Sequence, residues 1–146
     1  PSLIKDNKKF KKEKIFKENI SDKILPILRK IVTTKEGTAS LANVEGYEIG
    51  GKTGTTQNQS DGWFMGITPN LVTGVWTGCD DRSVHFRDIQ NGQGANMALP
   101  VFAEYMQRVY ADTLIANMQP IPFDIPRSID VKLDCDESTI SIEEEF

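Results

Sequence analysis

One short segment near the middle of the chain combines a lysine with threonines and glycines: residues 50–56 read Gly-Gly-Lys-Thr-Gly-Thr-Thr. On an exposed strand edge, Lys52 would place an ammonium beside an anionic substrate. The hydroxyls of Thr53 and Thr55 would share one face, because side chains two residues apart in a strand do so, and both can bind a carboxylate. Gly54 has no side chain, so a ligand can pair with the backbone as an added strand, and the Thr55 N–H can donate to a developing oxyanion.

A phosphate-binding loop is a competing interpretation of the same residues. Gly46 and the triplet at residues 51–53 satisfy the pattern G-x-x-x-x-G-K-T letter for letter. That loop needs a helix directly after it, because the helix N-terminus helps to hold the phosphates. Residues 54–59 form a poor helix, so the context disfavours a nucleotide binder. The segment is also compatible with a glycine-rich strand that has only a structural role, and with a non-catalytic module that binds a peptide or a protein through this edge.

The composition is that of a folded domain. Of the 146 residues, 38% are hydrophobic and 26% are charged, which argues against wholesale disorder. No apolar run approaches the roughly 20 residues that span a bilayer, and the first residues do not form a signal peptide, so we expect neither in this chain. The net charge is −4, but residues 1–35 carry eleven Lys or Arg against four Asp or Glu. This lead has no arginine before Arg29, which favours a solvated arm over a nucleic-acid site.

Metal and cofactor chemistry is not predicted. The chain has two cysteines, Cys79 and Cys135, without any C-x-x-C pattern, and its single histidine is His85. A zinc site needs about four closely spaced ligands, so we assign no metal ligand. We assign no cofactor either, and the spacing leaves open whether the two cysteines form a disulfide.

Two amphipathic helices are predicted, one before and one after the glycine-rich segment. The first lies near residues 24–34, where apolar residues recur at intervals of three and four; Ser21 can cap it, and Pro26 favours a start close to the proline. The second covers residues 97–111, with Asn96 as its cap. Its predicted buried stripe consists of Ala98, Val101, Phe102, Tyr105, Met106 and Val109.

Three consecutive strands are predicted between the helices. Residues 43–56 favour strand, residues 61–68 alternate between two faces, and residues 71–78 form the return strand. Short polar turns join them, which is typical of an antiparallel meander. The predicted fold class is therefore α+β, with a three-stranded antiparallel sheet packed by an N-terminal and a C-terminal helix, both on one face of the sheet.

The chain divides into three parts by composition. Residues 1–20 form a variable basic lead segment, and residues 21–112 carry the predicted helices and strands. Residues 113–146 form an acidic tail with three prolines in a short stretch. We expect the chemistry to lie in the central part.

Four motifs in the central part resemble one family. They are Lys52-Thr53-Gly54-Thr55-Thr56, Asp61-Gly62-Trp63-Phe64-Met65-Gly66, Val75-Trp76-Thr77-Gly78 and Ala98-Leu99-Pro100-Val101-Phe102. The K-T-G triplet alone is a weak signal, but in this order and at this close spacing the four look like the C-terminal part of the transpeptidase domain of a class A penicillin-binding protein. The resemblance covers residues 21–112.

The resemblance implies an activity and a set of site residues. The activity is that of a serine-type D,D-transpeptidase, which cross-links peptidoglycan stem peptides through an acyl-serine and binds β-lactams. The resemblance assigns Lys52 and Thr55 as the catalytic residues of this chain. Thr53, Gly54 and Thr55 are its substrate-binding residues, with the two threonines holding the terminal carboxylate of a stem peptide or of a β-lactam.

The family also implies a larger context for the chain. The predicted strands would be part of the larger sheet of a β-lactamase/transpeptidase-like fold, with Trp63 and Phe64 in the core under it. The parent protein would be anchored in the cell membrane, with this domain on the extracytoplasmic (periplasmic) side.

Two of the family's three catalytic elements are missing from the expected places. The family uses a serine with a lysine three residues on, an S-x-N motif and the K-T-G strand. Ser2 and Lys5 formally spell S-x-x-K, but the polar and charged residues after Lys5 predict a solvated setting without the burial that activates such a lysine, so Ser2 is rejected as the nucleophile. No S-x-N lies between Lys5 and Lys52. We therefore expect a fragment that is inactive alone, with the nucleophile in a missing N-terminal part of the domain.

Overall fold

The fold is α+β, as the sequence predicts. The structure is a computed structural model that describes Phe16, residues 20–114 and residues 119–124. Its elements, in chain order, are helix α1 (Ile20–Thr33), a 3-10 turn (Ser40–Ala42), strand β1 (Gly50–Thr55), a second 3-10 turn (Gln57–Gln59), strand β2 (Asp61–Ile67), strand β3 (Val72–Gly78), a short helix α2 (Ile89–Gly92) and helix α3 (Gly94–Ala111). The strands pair antiparallel in the order β1-β2-β3, which confirms the predicted meander.

Strand β1 is shorter than the predicted extended segment 43–56. The chain turns before the strand begins: Tyr47 N donates to Val44 O at 3.1 Å, and Gly46 has φ of 82°. That left-handed conformation favours glycine, which explains why this residue type stands at the turn. Only residues 50–55 pair with β2.

Strand β2 presents one buried and one partly exposed face. Phe64 is fully buried, whereas the exposed fraction of Trp63 is 44%. The prediction that both side chains are core is therefore right for Phe64 and wrong for Trp63. Successive side chains of a strand point to opposite faces, so only one of the two can lie under α3. Trp63 instead packs on the other face beside Trp76, with ring centroids 6.4 Å apart.

Helix α3 covers the Phe64 face of the sheet. The Phe102 ring lies 4.6 Å from the Phe64 ring, measured between centroids, and occupies the space that a side chain at Gly66 would fill. The predicted buried stripe is correct in part, because Val101 and Tyr105 are 52% and 42% exposed. The buried residues of α3 are Gly94, Ala98, Leu99, Phe102, Ala103, Met106 and Val109.

Both helices begin earlier than predicted and contain their prolines. Helix α1 starts at Ile20 and continues through the buried Pro26. Helix α3 starts at Gly94, so Asn96 is not its cap, and Pro100 lies beyond its first turn. A proline inside a helix removes one backbone hydrogen bond. In α3 the proline lies next to the buried Leu99, so the packing of that face on the sheet offsets the loss.

The two helices approach the sheet from opposite faces. A Cβ built on Gly50 would meet the Leu28 side chain of α1 and the Ile67 side chain, so Leu28 approaches the face that carries Ile67. A Cβ on Gly66 would meet the Phe102 ring of α3. Gly66 and Ile67 are neighbours in β2 and point to opposite faces, so the prediction that both helices pack on one face is wrong. An apolar stripe shows that one face of a helix is buried, but it does not show on which face of the sheet the helix packs.

A network around Asp61 fixes the turn between β1 and β2. Its carboxylate accepts hydrogen bonds from Trp76 Nε1 at 3.0 Å, Thr56 Oγ1 at 3.1 Å and Ser60 Oγ at 3.1 Å. Burial raises the pKa of this carboxyl, but the three hydrogen bonds and the nearby Arg82 charge outweigh it, so the pKa lies below its ordinary value. The Asp61 N–H also donates to Thr56 Oγ1 at 2.9 Å, so Asp61 holds this turn through both its backbone and its side chain.

We expect Phe64→Ala to lower the free energy of unfolding by about 3–5 kcal/mol, because it removes a fully buried ring and leaves a cavity against Phe102. Trp63→Ala is the matched control on the same strand, and it should cost about 1 kcal/mol because its ring is partly exposed. Urea unfolding followed by circular dichroism measures both. Equal losses would contradict the assignment of the two faces.

The Asp61 network predicts a loss of stability in acid. A carboxyl whose pKa is lowered on folding stabilises the fold above its unfolded pKa of about 3.9, and this contribution disappears as the pH falls through the folded pKa. Asp61→Asn should therefore be less stable than wild type at neutral pH and lose less stability below about pH 4. Thermal unfolding from neutral to acid pH measures this. Asp80→Asn, which changes an exposed neighbouring acid, should follow the wild-type curve.

Candidate functional site

Strand β1 is an edge strand within the part of the chain that the structure describes. It pairs with β2 on one side and with no described strand on the other. Thr56 N donates to Asp61 O at 3.1 Å, just beyond the paired residues. Because hydrogen-bonded and non-hydrogen-bonded pairs alternate in an antiparallel ladder, the N–H and C=O groups of Thr53 and Thr55 point away from β2, to the open side. This confirms that the glycine-rich segment forms a strand edge.

Lys52 brings a positive charge to this open side. Its side chain is exposed and stems from the face that carries Met65, opposite α3. Its Nζ atom donates to Thr53 O at 2.9 Å, which is one of the outward-pointing carbonyls. The ammonium therefore lies beside the unpaired backbone groups, where it can attract an anion.

Thr53 and Thr55 share the other face of β1, as predicted. They pair across the ladder with Phe64 and Gly62, on the side that α3 covers. Thr53 is half-buried, and its Oγ1 lies 3.4 Å from Thr38 Oγ1. Thr55 is exposed, and its Oγ1 accepts a hydrogen bond from the N–H of Gly94 at 2.9 Å. The strand edge thus has neutral hydroxyl donors on one face and an ammonium from the other.

Two neighbours of the edge, Thr38 and Gly94, were not predicted. Thr38 follows α1, and Gly94 begins α3, 39 residues after Thr55. The sequence places Gly94 in a glycine-containing loop, but no local pattern indicates which strand such a glycine contacts. Only the chain path over the sheet brings both residues to β1.

The other candidate residues lie away from this edge. Cys79 is exposed, and its pairing with Cys135 is not addressed because Cys135 lies outside the described residues. His85 is exposed, and its Nδ1 lies 2.9 Å from Phe86 O. The Asp81 carboxylate accepts from Ser83 N at 2.9 Å, and this backbone hydrogen bond lowers the pKa of Asp81. These contacts hold a loop in place and bring no reactive pair together.

The candidate site is an open edge and not a cavity. A cavity of about 350 Å³ beyond the end of β3 is lined by Cys79, His85 and Met97 among others. Another, of about 380 Å³, lies between α1 and the sheet near Ile67. Neither of the two includes a residue of β1, so the edge lies outside both cavities.

Residues 20–114 and 119–124 contain neither a cluster of metal-ligating side chains nor a helix that could cross a membrane. No three His, Cys, Asp or Glu side chains within these ranges are close enough together to hold a metal ion. None of the helices in the same ranges has the length and apolar character that a membrane span requires. The Ser2-to-Lys5 pattern lies outside the described residues.

The geometry overturns the phosphate-binding loop. Gly51, Lys52 and Thr53 lie inside a paired strand, so they do not form a loop. A 3-10 turn of three residues follows the strand, and its Asn58 has φ of 59°, which is not helical. No helix N-terminus therefore points at this lysine from the following residues, as a phosphate loop requires.

Comparison with known proteins gives one family. The penicillin-binding protein transpeptidase domain matches residues 1–107, more than half of the chain. Penicillin-binding protein 1A of Rickettsia bellii is 38% identical over 93 residues, which cover 64% of this chain and 11% of that protein. Penicillin-binding protein 1A of Aquifex aeolicus is 41% identical over 83 residues, covering 57% and 11%. The same protein of Neisseria gonorrhoeae is 40% identical over 76 residues, covering 52% and 9%.

The matched part of the chain spans about one tenth of the length of these relatives. The family match over residues 1–107 includes β1, with its lysine and threonine edge, and most of α3. The chain belongs to the penicillin-binding protein transpeptidase domain family.

Proposed function

We propose that this chain supplies the substrate-binding edge of a serine D,D-transpeptidase that joins peptidoglycan stem peptides through an acyl-serine, and that β-lactams bind at the same edge. The observation that carries the proposal is the open side of β1. There the backbone groups of Thr53 and Thr55 point outward beside the Lys52 ammonium.

A peptide with a free C-terminus fits this arrangement as an added strand. Its backbone pairs with the outward N–H and C=O groups of β1, which gives affinity without a deep pocket. Its terminal carboxylate accepts hydrogen bonds from the hydroxyls of Thr53 and Thr55, which share one face of the strand. Gly54 between them has no side chain to hold the peptide away from the backbone.

The same edge can stabilise the charge that develops during acyl transfer. When a serine attacks the peptide carbonyl, the carbonyl oxygen becomes negative. The outward N–H of Thr55 is a fixed donor for that oxygen and would form half of an oxyanion hole. Lys52 adds a full positive charge to the site and helps to move a proton between the serine and the leaving amine.

The nucleophile of this proposal lies in another part of a longer protein. The only S-x-x-K near the start of the chain, Ser2 to Lys5, is surrounded by lysines and polar residues, and no S-x-N separates it from Lys52. The missing elements belong to an N-terminal part of the domain, which completes the outer wall of the site. The whole protein is membrane-anchored, with residues 21–112 on the extracytoplasmic side.

The chain also contains everything that a simple binding edge needs, which favours a second candidate function. The outward backbone groups, the hydroxyls and the ammonium all come from residues 52–55. A non-catalytic module would bind a carboxylate-terminated peptide with these groups alone.

Titration of the chain with an acyl-D-alanyl-D-alanine peptide, monitored by the backbone amide chemical shifts, tests this second function. Saturable shifts at Thr53 and Thr55 support binding by the edge alone, and no shifts would reject it.

Labelling with a fluorescent penicillin tests the transpeptidase assignment. The full-length protein should form a covalent adduct, and the isolated chain should form none. In the full-length protein, Lys52→Ala should lower the acylation rate about 100-fold or more, since it removes the charge beside the reacting atoms. Lys35→Ala, at an exposed lysine just after α1, is the control and should label like wild type. Stoichiometric labelling of the isolated chain would show that the nucleophile lies within it.

A further inference from the structure

A single hydrogen bond connects the first residue of α3 to the last residue of β1. The Gly94 N–H donates to Thr55 Oγ1 at 2.9 Å across 39 residues of sequence. Gly94 is buried against the strand ladder: a Cβ there would collide with Gly54 O and lie 2.6 Å from Trp63 O. Both of these are backbone atoms of paired residues, so they cannot move aside. Only glycine lets α3 come close enough to make this bond.

The direction of this bond decides what the Thr55 hydroxyl can do. A hydroxyl has one hydrogen to donate and two lone pairs that accept. Since Gly94 donates, Thr55 Oγ1 is the acceptor, and its own hydrogen remains available. Among the described residues, no acceptor takes that hydrogen, and the side chain is exposed at the open edge. Accepting a bond also polarises the O–H group and strengthens it as a donor.

We propose that Gly94 is a positioning residue that holds the Thr55 hydroxyl as a dedicated donor to the substrate's carboxylate. The inference rests on the proposed function and adds to it how the edge selects a charged peptide end. A carboxylate accepts a stronger hydrogen bond than an ester or an amide does, because its oxygens are ionised. A fixed donor therefore favours substrates with a free terminal carboxylate.

A purely structural role for the bond makes a different prediction. If the bond only anchors the start of α3, its loss loosens the helix and lowers the activity toward every substrate alike. If it positions Thr55, its loss lowers activity toward the carboxylate and leaves activity toward a neutral analogue nearly unchanged. The ratio of the two rates therefore separates the roles.

Acylation of the full-length protein by benzylpenicillin and by its methyl ester measures this ratio. We expect wild type to prefer the free acid, and Gly94→Ala to lower the preference about tenfold, as loss of one hydrogen bond to a charged group implies. Thr55→Val should lower it similarly, and the double variant should be no worse than Thr55→Val alone. Val109→Ala is the control: it removes a buried side chain near the far end of the same helix, away from Gly94, so the ratio should stay at the wild-type value.

A backbone ester at position 94 covers the case in which Gly94→Ala does not fold. It replaces the N–H by oxygen without adding a Cβ, and it should lower the ratio by the same factor. Equal losses for acid and ester in both position-94 variants, or no acid preference in wild type, would overturn the inference and leave the proposed function standing. A wild-type protein that benzylpenicillin does not acylate would overturn both.

Discussion

Among the described residues, β1 pairs with β2 alone, and this one-sided pairing is the constraint on which the rest of the site depends. An antiparallel ladder uses the backbone groups of every second residue and directs the others outward. In β1 the outward groups belong to Thr53 and Thr55, and the Lys52 ammonium bonds to one of them. A shift of the register by one residue would turn these groups inward and exchange the faces of the lysine and the threonines. The buried Phe64 opposes such a shift, because its ring would leave the core.

An unpaired edge is also a risk, since it can pair with another chain and aggregate. The composition of β1 reduces that risk without closing the edge. Its exposed lysine repels a second copy of the same strand, and its glycines give little apolar surface to stack on. The same two residue types serve the proposed function, because the charge attracts a carboxylate and the absent side chains admit a peptide. Binding and protection against aggregation therefore place the same demands on this strand.

Local patterns predicted much of the fold and of the site. The two-residue alternation of residues 61–68 predicted β2 to within one residue, and the glycine, lysine and threonine run predicted the edge itself. The errors arise where tertiary packing overrides a local rule. Pro26 and Pro100 indicate helix starts, yet each helix begins about six residues before its proline. Packing on the sheet stabilises the helical turn that precedes the proline. The exposed Trp63 shows that strand alternation, and not residue type, decides which aromatic side chain is buried.

The contact between Gly94 and Thr55 shows why a site is harder to predict than its motif. Each residue has a local explanation: a glycine in a loop before a helix, and a threonine in a strand. Their hydrogen bond exists because α3 packs on the Phe64 face, and its first residue contacts the β1–β2 ladder. A side chain at Gly94 would collide there with backbone oxygens. The core contact between Phe64 and Phe102 holds α3 on that face, so the same packing that stabilises the domain also orients a hydroxyl at its edge. The motif identifies the groups that can bind a carboxylate, whereas the packing of the core determines the direction in which a hydroxyl group such as that of Thr55 donates its hydrogen bond.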